Sequence, residues 1–118
     1  MEETFGAYIR KRREEHLKRN PNFTVRKFAG KIGIQPSYIS KVEREEVPPP
    51  SEPTIVRIAE TLHEDPDVLL ALAGKVSADL RQVILKRPKL FADMIRQLKD
   101  APDHAVLRVV REVRDGNW

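Results

Sequence analysis

Through the first 74 residues, apolar side chains recur at intervals of three and four, the spacing that lines one face of an α-helix. Phe5, Tyr8, Ile9 and Leu17 make the first stripe, with Thr4 placed to cap it and Asn20-Pro21 to stop it. Val25, Phe28, Ala29 and Ile32 make the second, between an N-cap at Thr24 and a left-handed C-cap at Gly33. A third helix follows from Pro36, whose missing N–H costs nothing in a first turn. Its Ile39 and Val42, with part of Tyr38, can face the second helix, which leaves Ser37, Ser40, Lys41 and Arg44 on the open side.

"VPPPSEPT" must connect, since three successive prolines cannot lie inside a helix. Ser51 restarts a helix carrying Ile55, Ile58, Ala59 and Leu62, and a fifth runs from Asp67 to Ala73 and closes at Gly74. Beyond it, Ser77 is placed to cap a helix bearing Leu80, Val83, Ile84 and Leu85. Pro88 opens another with Leu90, Phe91, Met94, Ile95 and Leu98, and Asp100 or Asp103, with Pro102, begins a last one with Val106, Leu107, Val109, Val110 and Val113. Gly116 is its stop. No sustained alternation or hairpin dipeptide competes, so the expected class is all-α.

Composition narrows the chemistry. Cysteine is absent, which removes disulfides and thiolate metal sites, and His16, His63 and His104 are too dispersed in sequence to suggest a metal. No cofactor is expected either. The longest apolar run, "VLLALA" at 68 to 73, is too short for a membrane span, and no signal-peptide pattern opens the chain; a soluble intracellular protein is expected. Residues 1 to 46 carry a net charge of +4, residues 47 to 74 of −4, and residues 75 to 118 of +4. A basic first segment permits a polyanion partner. The carboxylate pairs Glu45 with Glu46 and Asp65 with Asp67 have no nucleophile or phosphate-cradling loop beside them, so capping and surface charge explain them and no enzyme is expected.

The informative stretch is "TVRKFAGKIGIQPSYISKVERE". Ala29 stands four residues before Gly33, where a small side chain lets two helices approach, and Ile34 and Ile39 supply a wedge. Helix pairs of this kind cross at roughly 90 to 120° and leave the second helix protruding. A helix about 10 to 12 Å across fits the major groove of B-DNA.

Residues 5 to 74 resemble the phage-repressor and Cro-like, or Xre, helix-turn-helix family, a five-helix domain. The resemblance rests on Phe5, Ile9, Arg13, Phe23-Thr24, Phe28-Ala29, Ile32-Gly33-Ile34, Ser37-Tyr38-Ile39-Ser40, Val42-Glu43-Arg44, Pro50-Ser51, Ile58-Ala59 and Leu62. It implies an all-α architecture with a DNA-binding domain at 1–74 and a helical extension of about three short helices at 75–118. It implies a sequence-specific regulator of bacterial or phage type, cytoplasmic and nucleoid-associated when bound, that reads double-stranded DNA through the helix at 36–45.

Carried over by position, Gln35, Pro36, Ser37, Ser40 and Lys41 would face base edges. The chemistry suits this: Gln bonds adenine, Ser donates or accepts, Lys donates to guanine, and the proline ring meets a thymine methyl. Thr24, Arg26, Lys27, Lys31, Tyr38 and Arg44 would meet the backbone, and Arg13 would pair with Glu43 inside the domain. Two positions and one loop depart from the family pattern. Val25 stands where glutamine often grips a phosphate, and Arg12 stands where leucine is common, its stem expected over the core with its head in solvent. The loop "EEVPPPSEP" is acidic where many relatives are basic.

The extension must bury its apolar stripes on its own domain, on itself or on a second chain. Leu90, Phe91, Met94, Val106, Leu107, Val110 and Val113 are the expected surface of a homodimer, which would let a repressor read an inverted repeat. The alternative is an antitoxin or adaptor whose C-terminal helices bind a partner protein.

Overall fold

The computed structural model describes residues 3–116 and 118. Among them are eight α-helices and no strand: α1 Phe5–Arg19, α2 Val25–Ile32, α3 Pro36–Glu43, α4 Glu52–Leu62, α5 Pro66–Leu72, α6 Ala78–Lys86, α7 Pro88–Leu98 and α8 Asp103–Asp115. They fall into two compact units that divide at Ala78.

The first unit is built round one core. Phe5 and Ile9 of α1, Phe28, Ala29 and Ile32 of α2, Ile39 and Val42 of α3, Ile55, Ile58, Ala59 and Leu62 of α4, and Leu69 and Leu70 of α5 are all buried, joined by Phe23 from the α1–α2 turn. α3 packs on both α1 and α2, while α4 lies against α1, α2 and α5. The unit continues past Gly74 because Lys75 bonds back to it: its N–H donates to Leu70 at 2.8 Å and its ammonium to the Pro50 carbonyl at 3.0 Å. Ser77 is buried as well.

Local chemistry sets the element ends. Thr4 and Thr24 accept the N–H groups of Ala7 and Lys27, and Asp65 accepts that of Asp67. The fifth helix thus begins at Pro66, one residue earlier than expected, because proline is preorganised for a first helical position. The last helix starts at Asp103 with Pro102 in the cap position, so no carboxylate caps it.

α3 ends at Glu43, two residues short of the expected 36–45. Its closure is a six-to-one bond from the Glu46 N–H to the Lys41 carbonyl at 2.9 Å, with Glu45 N–H on Val42 at 3.1 Å. This motif needs a left-handed residue, and Glu45 takes that conformation at φ 63 without being glycine. His63 closes α4 in the same way at φ 56, with the Glu64 N–H on the Ala59 carbonyl at 2.8 Å.

The second unit has a different character. None of α6, α7 and α8 contains a buried residue, although each carries an apolar stripe. Leu90 is 68% exposed, Val113 60% and Ile95 54%.

Candidate nucleic-acid interface

The geometry begins at Gly33. With φ 85 and ψ 32 it turns the chain out of α2, and the N–H groups of Gly33 and Ile34 both bond to Ala29, at 2.9 and 3.0 Å. Gln35 then takes the cap position of α3 through its backbone: its carbonyl accepts from Tyr38 and Ile39, while its side chain makes no cap bond. That amide is left exposed ahead of the helix.

α3 has two sides. Ile39 and Val42 are buried in the core, and Glu43 is buried with them. Gln35, Ser37, Lys41 and Arg44 are exposed; Pro36, Tyr38 and Ser40 are half-buried, Tyr38 resting against the core. Thr24, Arg26, Lys27 and Lys31 are exposed on and before α2. Lys31 is engaged locally, its ammonium 5.5 Å from the centre of the Phe23 ring, where a cation is attracted to the aromatic face.

Arg13 and Glu43 meet across α1 and α3. Arg13 Nε and Nη2 donate to Glu43 Oε2 and Oε1, both at 2.8 Å. The carboxylate bond holds the Arg13 guanidinium above its usual pKa against the opposing effect of burial. Gly6 makes the same junction close in another way. A Cβ there would stand 2.4 Å from the Val42 carbonyl oxygen and 2.8 Å from that of Glu43, so only glycine lets α1 approach the end of α3 this nearly.

The sequence model of the family described as "Helix-turn-helix domain" matches residues 4–72. The chain belongs to the helix-turn-helix domain family. No curated protein and no solved structure matches it. Membership makes DNA binding the class of activity.

Several contacts that shape this domain were not expected from sequence. Arg57, the one Lys or Arg in residues 47 to 74, donates from Nε to the Ile32 carbonyl at 2.9 Å and so satisfies the end of α2. Arg12 does not carry its head into open solvent. Nη1 bonds Glu15 at 2.7 Å and Nη2 bonds Glu64 at 2.9 Å, while Nε is buried with no hydrogen-bond partner. Tyr8 donates its hydroxyl to the same Glu64, which raises the phenol's pKa, with burial adding to the effect. His16 Nε2 lies 3.0 Å from the Leu62 carbonyl and its ring stacks on His63. Among the described residues no group of three or more His, Cys, Asp or Glu is gathered to hold a metal, and no helix is long and apolar enough to cross a membrane.

Arg44 is paired as well. Its Nε and Nη2 donate to Glu46 Oε1 and Oε2, each at 3.1 Å. The hydrogen bonds push Arg44 above its ordinary pKa and hold Glu46 below the usual carboxylate range.

Proposed function

We propose that this helix-turn-helix protein is a sequence-specific transcriptional regulator of the phage-repressor and Cro-like type, acting as a homodimeric repressor on an inverted repeat. The observation that carries the reading is the division of α3. Its apolar residues and Glu43 are held in the core, while Gln35 and Ser37 stand exposed at its leading end and Lys41 stands exposed one turn further on, in its last turn. These are hydrogen-bonding groups of the kinds that read adenine and guanine edges in the major groove. Pro36 and Ser40 complete the reading surface, and Thr24, Arg26, Lys27, Lys31, Tyr38 and Arg44 meet the sugar-phosphate backbone.

Operator occupancy is the mechanism. Phosphate contacts fix register, base contacts select sequence, and the bound protein obstructs polymerase. A single domain with few phosphate contacts binds weakly at physiological salt, so two copies are required for tight binding. The apolar side chains of the second unit favour this reading. Leu90, Phe91, Met94, Val106, Leu107, Val110 and Val113 are not buried within the chain, and a second copy presenting the same faces would cover them.

Titration of a labelled duplex at a series of salt concentrations tests DNA binding, and sedimentation equilibrium tests assembly. The reading expects salt-sensitive binding and a dimer mass that Leu107→Asp and Val110→Asp reduce to that of a monomer. A monomeric wild type would remove the dimer, and stable capture of a different protein by α6–α8 would favour the adaptor.

A further inference from the structure

A small polar cavity of about 180 Å³ lies between α1 and α3, lined by Arg10, Arg13, Ser40, Glu43 and Arg44. Three guanidinium groups and one carboxylate border it, and both oxygens of that carboxylate are already taken by Arg13. The net charge at its walls is therefore positive. The volume equals that of several water molecules at roughly 30 Å³ each, enough for a phosphate group.

The other two arginines are each held by a carboxylate on their own segment. Arg10 Nε bonds Glu14 at 3.0 Å, and Arg44 makes its two-point contact with Glu46. Both pairs are about half exposed, so they contribute little to holding the fold together. The two-pronged geometry by which Arg44 grips Glu46 is the one a guanidinium uses for a phosphate.

We propose that this cavity is a pocket for a DNA backbone phosphate, and that Glu46 is a built-in competitor that occupies Arg44 until the phosphate displaces it. The proposal rests on the DNA-binding reading above, adds Arg10 to the phosphate contacts, and moves Ser40 from the base-reading surface to the phosphate. Arg10 and Arg44 supply charge from opposite walls and the Ser40 hydroxyl donates a hydrogen bond. Arg13 stays committed to Glu43. Glu46 keeps Arg44 aligned when DNA is absent and lowers affinity for any sequence, so that discrimination falls to the leading end of α3.

The test is a double-mutant cycle on DNA affinity with the full chain, using Glu46→Gln, Arg44→Ala and the double variant on one duplex at low salt. Thermal melts confirm that these exposed substitutions leave the fold intact. Glu46→Gln is expected to tighten binding about two- to fivefold in the wild-type background and to have no effect beside Arg44→Ala. Arg44→Ala and Arg10→Ala should each reduce the salt slope by about one. Equal tightening by Glu46→Gln in both backgrounds would show only a general loss of negative charge and overturn the proposal, as would no tightening in either. If the wild type binds no duplex at all, the DNA-binding reading fails and the pocket falls with it; if it binds and the cycle shows no coupling, the pocket alone is lost.

Discussion

Arg13 and Glu43 join α1 to α3 through two parallel hydrogen bonds of 2.8 Å, in a site where both side chains are less than a tenth exposed. A buried ion pair of this kind is weak support for net stability, yet removing one partner strands a charge. Arg13→Ala is therefore expected to cost about 3–5 kcal/mol in urea denaturation, and Arg13→Met with Glu43→Leu substantially less. Equal losses for the single and double variants would show that the pair acts through packing rather than charge.

Gly6 guards the same junction. A methyl group there meets two backbone carbonyl oxygens, which cannot swing aside as a side chain could. Gly6→Ala should cost about 1–3 kcal/mol through overpacking, exceeding the roughly 1 kcal/mol that alanine gains over glycine inside a helix. The melting temperature should fall; a rise would mean that α1 does not sit this close to α3.

Glu45 has the opposite sign. It closes α3 at a positive φ that disfavours a side chain, so Glu45→Gly relieves strain while adding freedom to the unfolded chain. The net expectation is a gain of about 0.5–1 kcal/mol, read as a higher melting temperature. A loss would assign Glu45 a side-chain contact that outweighs its backbone conformation.

Tyr8 predicts a pH effect. Its bond to Glu64 raises the phenol's pKa in the folded state above the ordinary value of 10.0. Below that ordinary value both states keep the proton and the contribution is whole. Above it the unfolded state ionises first, and stability is lost until the folded pKa is passed. Tyr8→Phe should flatten this alkaline decline in a stability-versus-pH series, and an unchanged slope would place the ionisation elsewhere.

Much of the fold was legible because its signals are local. Thr4, Thr24 and Gly33 occupy the cap positions that their chemistry favours, and the three- and four-residue apolar spacing separates buried Ile39 and Val42 from exposed Ser37 and Lys41. What escaped depends on distances between segments remote in sequence. The nearness of Gly6 to Val42, the Arg57 bond to Ile32 and the tie from Arg12 to Glu64 leave no periodic trace. The left-handed turns at Glu45 and His63 escaped for another reason: neither residue is glycine, so the usual stop signal was missing. Glu46 looked like ordinary surface charge until its two bonds to Arg44 were visible.

The central claim is that the exposed side of α3, from Gln35 to Lys41, selects DNA sequence while α2 holds the backbone. Selection of bound duplexes from a random pool, run on the wild type, Lys41→Ala and Arg26→Ala, tests it most directly. The wild type should enrich an inverted repeat, Lys41→Ala should change the preferred base at a defined position in each half, and Arg26→Ala should weaken binding while preserving the profile. An unchanged profile for Lys41→Ala, or no enrichment by the wild type even at low salt, would contradict the account.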